Sequence, residues 1–115
     1  MNILLIDDEK SFHDILNILS KKFKFNFYSL YSSNNLEDTL KNQKIDYAFV
    51  DLNLKNEQGY VLLKKIKDLS PDTKCFIFSS SNVESLKTDN NQYKIIDKHK
   101  LVETITELIN KTPDN

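Results

Sequence analysis

Asp7 and Asp8 follow the short apolar run Ile3 to Ile6, Asp51 follows Tyr47 to Val50, Ser79 follows Cys75 to Phe78, and Lys98 follows Ile95-Ile96-Asp97. Three carboxylates brought close together repel one another unless a proton or a cation neutralises them. Oxygen donors of this kind suit Mg2+, which combines one or two carboxylates with water and phosphate oxygens, better than they suit a softer metal. They also suit phosphoryl transfer, in which a carboxylate oxygen attacks phosphorus in line and becomes an acyl phosphate while cations neutralise the developing charge.

Asp51 is the nucleophile on this reading, because it directly follows a run expected to be buried and central. Asp8 is the more direct metal ligand, and Asp7 acts through water or through its field. Asn53, two residues past Asp51, offers a backbone carbonyl to the metal. Lys98 brings a compact ammonium to the phosphoryl group. Ser79 supplies a hydroxyl donor that links the chemical event to the loop after it.

Taken singly, these residues have plainer readings. An acidic pair or a lone Asp after a strand is commonly a solvated loop, Ser79 a turn or helix-start residue, and Asn53 a turn former. The combination at successive strand ends carries the inference. His13 reads as surface or partly packed, His99 as a cap-region or solvent residue, and neither suits zinc. Cys75 stands alone in an apolar run and reads as a packed small hydrophobe. Phe23, Phe25, Phe27, Tyr28 and Tyr31 read as edge-strand and core packing, because no broad basic groove accompanies them.

The elements that must position these groups alternate. Five short apolar segments (Ile3 to Ile6, Phe25 to Leu30, Ile45 to Val50, Cys75 to Phe78, Tyr93 to Ile96) have strand lengths. The first, third and fourth are continuous, as expected of strands covered on both faces, and the second and fifth are more broken and read as edges. Helical spacing fills the intervals, and right-handed crossovers then make the sheet parallel. A first helix is expected from about Glu9 to Lys22 with Phe12, Ile15, Leu16 and Leu19 inward. Asn34 with Glu37 resembles a capping box for a second helix ending near Asn42. A third follows Gly59 with Leu62, Leu63, Ile66 and Leu69 inward and stops before Pro71. Ser81 with Glu84 suggests a short fourth, and the last runs from about Lys100 to Lys111, closed by Pro113. In a parallel sheet, the carboxyl ends of the strands share one edge, and that edge is the expected site.

The chain has 115 residues, with 39% hydrophobic and 29% charged residues, which suits one globular domain. A formal charge of -1 argues against field-driven nucleic-acid binding. One glycine excludes Gly-rich phosphate loops, one cysteine excludes an internal disulfide, and no apolar stretch near the start approaches a membrane span. A soluble, cytoplasmic protein is expected.

The chain resembles the receiver domain of bacterial two-component response regulators over nearly its whole length. The resemblance implies an α/β, flavodoxin-like (βα)5 three-layer sandwich with a parallel sheet in order 2-1-3-4-5, to which this sequence adds the expectation of a short fourth helix. It implies a receiver domain over residues 1–112 with a tail at 113–115. It also implies Mg2+-dependent phosphoryl transfer to Asp51 from a histidine kinase or histidine phosphotransfer protein. In it, Asp7 and Asp8 match the acidic pair, Asn53 the metal-contacting carbonyl, Ser79 the switch hydroxyl and Lys98 the lysine. The metal set is then Asp7, Asp8, Asp51 and Asn53. A downstream protein partner or a separate output region would read the state, and a weak homodimer is a further expectation. Separate substrate turnover is not expected, since a phosphatase would need an additional base or cap.

Several positions depart from the family pattern. Lys55 and His99 stand where proline is common, Ile95 stands where a switching Tyr or Phe is common, and Gln58 precedes Gly59 where an acid is more usual. The interval of 19 positions from Ser79 to Lys98 is about one helical turn short. Ile95, His99 and the short fourth-helix region motivate the alternative of a phosphorylation-independent interaction module.

Overall fold

The computed structural model describes residues 1–55, 57–79 and 94–111. In chain order the elements are β1 (Asn2–Ile6), α1 (Lys10–Phe23), β2 (Asn26–Leu30), α2 (Leu36–Asn42), β3 (Tyr47–Asp51), β4 (Asn53–Leu54) and β5 (Glu57–Gln58). There follow α3 (Gly59–Leu69), β6 (Lys74–Ser79), β7 (Lys94–Asp97) and a 3-10 turn (Lys98–Lys100) that runs into α4 (Leu101–Lys111). The five longer strands form one parallel sheet in the order β2-β1-β3-β6-β7, which is 2-1-3-4-5 when those strands alone are counted. The residues β4 and β5 pair as a small antiparallel hairpin outside it.

The continuous apolar runs have a direct cause: successive side chains on a strand point to opposite faces, and here both faces are covered. Leu4, Ile6, Ala48, Val50 and Ile77 pack with Leu36 and Leu40 of α2 and Leu62, Leu63 and Ile66 of α3. The alternate residues Ile3, Leu5, Phe49, Phe78 and Ile96 pack with Leu16 and Leu19 of α1 and Leu101 and Ile105 of α4. Phe49 stacks between Phe76 and Phe78 at centroid distances of 5.0 and 4.9 Å. The more broken segments lie at the edges as β2 and β7.

Three expectations are corrected. The Asn34–Glu37 capping box does not form. Asn35 is the N-cap, in a left-handed conformation with φ 67° and no side-chain cap, whereas side-chain capping needs extended backbone at that position. Glu37 instead pairs with Lys65 at 3.0 Å. Leu69 is 44% exposed, because it sits in the last turn of α3, where the chain leaves for β6. His13 is buried rather than at the surface. The Ser81–Glu84 pair, the short fourth helix, Tyr93, Pro113 and the 113–115 tail lie outside the described residues.

Candidate functional site

Asp7, Asp51, Ser79 and Lys98 each lie at or just past the end of a strand of the main sheet. Asp7 follows β1 directly, and its backbone N–H continues the pairing with β2 by donating to the Leu30 carbonyl at 3.1 Å. Asp51 is the last residue of the central strand β3. The next residue is also anchored, with Leu52 N–H donating to the Phe78 carbonyl at 2.8 Å. Lys98 opens the turn after β7 and is buried. Carboxylate oxygens of Asp7, Asp8 and Asp51 lie within 4.8 Å of one another, with Asp7 and Asp51 buried and Asp8 exposed.

Lys98 Nζ lies 3.1 Å from Asp7 Oδ2, 3.3 Å from Asp51 Oδ2 and 3.3 Å from Glu9 Oε1. It also sits 4.8 Å from the centroid of the Phe12 ring, a cation-π contact that holds the ammonium from a further side. Burial alone would lower the Lys98 ammonium, but the charges of Asp7 and Asp51 outweigh it and hold the group above its ordinary 10.5. It therefore stays cationic at neutral pH.

One ammonium does not neutralise three carboxylates. Asp7 Oδ1 accepts from the Glu9 N–H at 2.8 Å. Its buried Oδ2 faces Lys98 yet accepts no hydrogen bond among the described residues. That ammonium, 3.1 Å away, is shared with Asp51 and Glu9, so negative charge stays in excess, and an oxygen-seeking cation is the chemistry that would offset it. The donor set fits a hard divalent ion such as Mg2+.

Burial is the largest influence on Asp7 and pushes its carboxyl upward. The Glu9 N–H pulls it down, Asp51 pushes it up, Lys98 pulls it down, and the net result lies above the ordinary 3.8. The folded state thus holds this proton more tightly than the unfolded chain does. The stabilisation from that proton is full below 3.8 and is lost as pH rises through the raised value. In chelator at neutral pH, Asp7→Asn is expected to exceed the parent in stability, because the amide is neutral where the carboxyl must give up a proton that the fold favours. The gap should close on acidification. Urea midpoints for both proteins across that pH range check it, and a gap that widened in acid would contradict it.

The remaining predicted residues also have definite places. Ser79 ends β6, is buried, and stands in register with Asp97 of β7, one residue past the Asp51–Phe78 pair. Asn53 lies in β4 paired with Gln58, two residues beyond Asp51. Ile95 pairs with Ile77 and packs against the cluster beneath α3.

Both positions that depart from proline use the N–H that a proline lacks. Lys55 N–H donates to Asp8 Oδ2 at 3.1 Å, tying the β4–β5 hairpin to the acidic pair. His99 N–H donates to Asp97 Oδ1 at 2.9 Å, capping the turn that presents Lys98. No peptide bond among the described residues is cis. Glu57, one residue earlier than the acid common before the glycine, accepts from the Ser33 backbone N–H at 3.0 Å and from its hydroxyl.

Sequence reasoning missed two members of this neighbourhood. Glu9 pairs with Lys98, a role that its place in the Asp7-Asp8-Glu9 triplet could have suggested. Phe12 was read only as core, since nothing in helical spacing shows that a lysine 86 positions away will lie over its ring.

The layered sheet and the acidic strand ends together define a class, the receiver-type α/β sandwich. The chain belongs to the response regulator receiver domain family, whose pattern matches residues 3–110. Among solved structures it is similar to a response regulator from Thermotoga maritima, with 23% identity over 96% of this chain and 98% of that one and a TM-score of 0.73. A CheY-like response regulator receiver domain protein from Methanospirillum hungatei JF-1 shares 21% identity over 96% and 94% of the two chains, with a TM-score of 0.73. A response regulator protein from Burkholderia pseudomallei, solved with a phosphorylated aspartic acid, a calcium ion and citrate, shares 19% identity over 97% and 75%, with a TM-score of 0.69. Comparison with curated proteins found no match. Among the described residues no helix is long and apolar enough to cross a membrane.

Proposed function

We propose that the chain is a phosphoaccepting switch of a two-component or phosphorelay system, with residues 1–112 as the working unit and Asp51 as acceptor. The observation that carries this reading is Lys98 Nζ lying within ion-pair distance of both Asp7 and Asp51, at the ends of two adjacent strands. An oxygen of Asp51 attacks the phosphorus of a phosphohistidine on a histidine kinase or phosphotransfer protein. The P–N bond breaks, the imidazole leaves with its electron pair and takes a proton, and an acyl phosphate remains on Asp51. Lys98 exchanges carboxylate partners for a phosphoryl oxygen, and the Ser79 hydroxyl donates to another, drawing the loop after β6 toward the site. Asp7, Asp8, Asp51 and the Asn53 carbonyl would hold Mg2+. When bound, that ion offsets the negative charge of the carboxylates and the phosphoryl group. No further substrate is turned over, and a partner or a separate output region inside the cell reads the altered surface.

Intact-mass spectrometry after incubation with a small acyl-phosphate donor tests this. An adduct of one phosphoryl group, released by hydroxylamine as an acyl phosphate is, localised to Asp51 and dependent on Mg2+, is the expected result, and its absence would count against the switch. A phosphorylation-independent interaction module is the second reading. It is favoured by Ile95, a half-buried aliphatic residue packed against the core where a mobile aromatic is common in the family. Partner binding that is unchanged by Mg2+ and phosphodonor would select it.

A further inference from the structure

The first turns of α1 carry a buried histidine that the chemistry above does not use. His13 is 3% exposed. Its Nε2 lies 2.6 Å from the Asp7 carbonyl oxygen and its Nδ1 lies 2.5 Å from Ser29 Oγ in β2. The ring stacks on Tyr31 at a centroid distance of 4.1 Å and an interplanar angle of 27°. A carbonyl can only accept, so Nε2 carries a hydrogen and donates it to Asp7, while Nδ1 shares a hydrogen bond with the Ser29 hydroxyl, which can donate or accept. Burial and two short polar contacts make this imidazole a fixed strut between the edge strand and the β1–α1 turn, rather than a filler of apolar volume.

The consequence falls on Asp7. Its backbone N–H donates to Leu30, its carbonyl accepts from His13, and its Oδ1 accepts from Glu9 N–H. Those three contacts leave Oδ2 as the carboxylate oxygen directed at Lys98. Of the three, only the His13 contact comes from a side chain. The other two are made by backbone groups, the Leu30 carbonyl and the Glu9 N–H, that any residue except proline at position 9 supplies.

We propose that His13 is a positioning residue for the cation site, clamping the Asp7 carbonyl to β2 and thereby fixing the direction in which Asp7 presents Oδ2. The proposal rests on the reading of Asp7, Asp8 and Asp51 as that site. Donors that orient a metal-site residue commonly change metal affinity by about 10- to 100-fold when removed. A strut acting through the backbone belongs at the lower end of that range.

The test is Mg2+ binding to the full chain by isothermal titration calorimetry, with urea midpoints in chelator measured alongside. His13→Leu removes the donor but keeps apolar bulk, and about tenfold weaker Mg2+ binding is expected. His13→Gln places an amide N–H near the position of Nε2, and affinity within about threefold of the parent is expected. His13→Asn is polar but one methylene shorter, so it should behave like leucine, and it stands in for leucine if that variant does not fold. Unchanged Mg2+ affinity in the leucine or asparagine variant would overturn the proposal even if the urea midpoint fell. A glutamine variant as weak as leucine would overturn it too. A parent that bound no Mg2+ would instead remove the cation site itself, and His13's role with it.

Discussion

Asp51→Asn is expected to take up no phosphoryl group from a small acyl-phosphate donor in Mg2+ while unfolding within about 1 kcal/mol of the parent. The chemical half of this result follows from the amide, which lacks the anionic oxygen that must attack phosphorus. The stability half follows from the charge balance around Lys98. Removing the Asp51 charge costs the lysine one partner at 3.3 Å but leaves it Asp7 at 3.1 Å and Glu9 at 3.3 Å. It also relieves Asp7 of a like-charged neighbour that helps to raise its carboxyl. These effects oppose each other, so the fold should be nearly indifferent to a change that ends the chemistry. Intact-mass spectrometry and a urea titration on the same preparation check both halves. An adduct that persisted on Asp7 or Asp8 would move the nucleophile, and a collapse of stability would mean that Lys98 depends on Asp51 far more than its other two partners suggest.

The contrast between such a residue and its setting explains what the sequence made legible. Strands covered on both faces must be apolar at consecutive positions, so Ile3 to Ile6, Tyr47 to Val50 and Cys75 to Phe78 announce themselves. Once the strands are parallel, the polar residues that follow them must share one edge. Asp7, Asp8, Asp51 and Lys98 were therefore legible as a group, because topology alone gathers them. What escaped was decided by geometry between side chains or by the backbone. His13 occupies a helix position compatible with either surface or core, and only the fold places the Asp7 carbonyl and Ser29 on either side of its ring. The N–H groups of Lys55 and His99 belong to the backbone, so residue type showed that proline was missing without showing that its absence supplies two hydrogen bonds. The second helix was misread at its start because Asn35 rather than Asn34 stands at the N-cap position, where a left-handed backbone that composition does not encode leaves the helix without a side-chain cap.

Gly59→Ala is expected to destabilise the protein by about 3 kcal/mol, although alanine is the better helix former by about 1 kcal/mol. Gly59 opens α3, and its φ is not positive, so conformational freedom is not the reason for a glycine there. The reason is approach. A β-carbon at this position would lie 2.5 Å from the Asp51 carbonyl oxygen and 2.9 Å from the Leu52 α-carbon, both of them backbone atoms. Neither atom is free to yield. Asp51 is registered against Phe78 in the central strands, and Leu52 donates its N–H to the Phe78 carbonyl. Relief must come from tilting α3 away from β3, which opens the packing of Leu62, Leu63 and Ile66, or from displacing the Asp51 backbone. Either route also disturbs the acceptor, so the rate of phosphoryl uptake should fall together with the urea midpoint. A variant that gained stability, as helix propensity alone would dictate, would show that the start of α3 stands clear of the strand that carries Asp51.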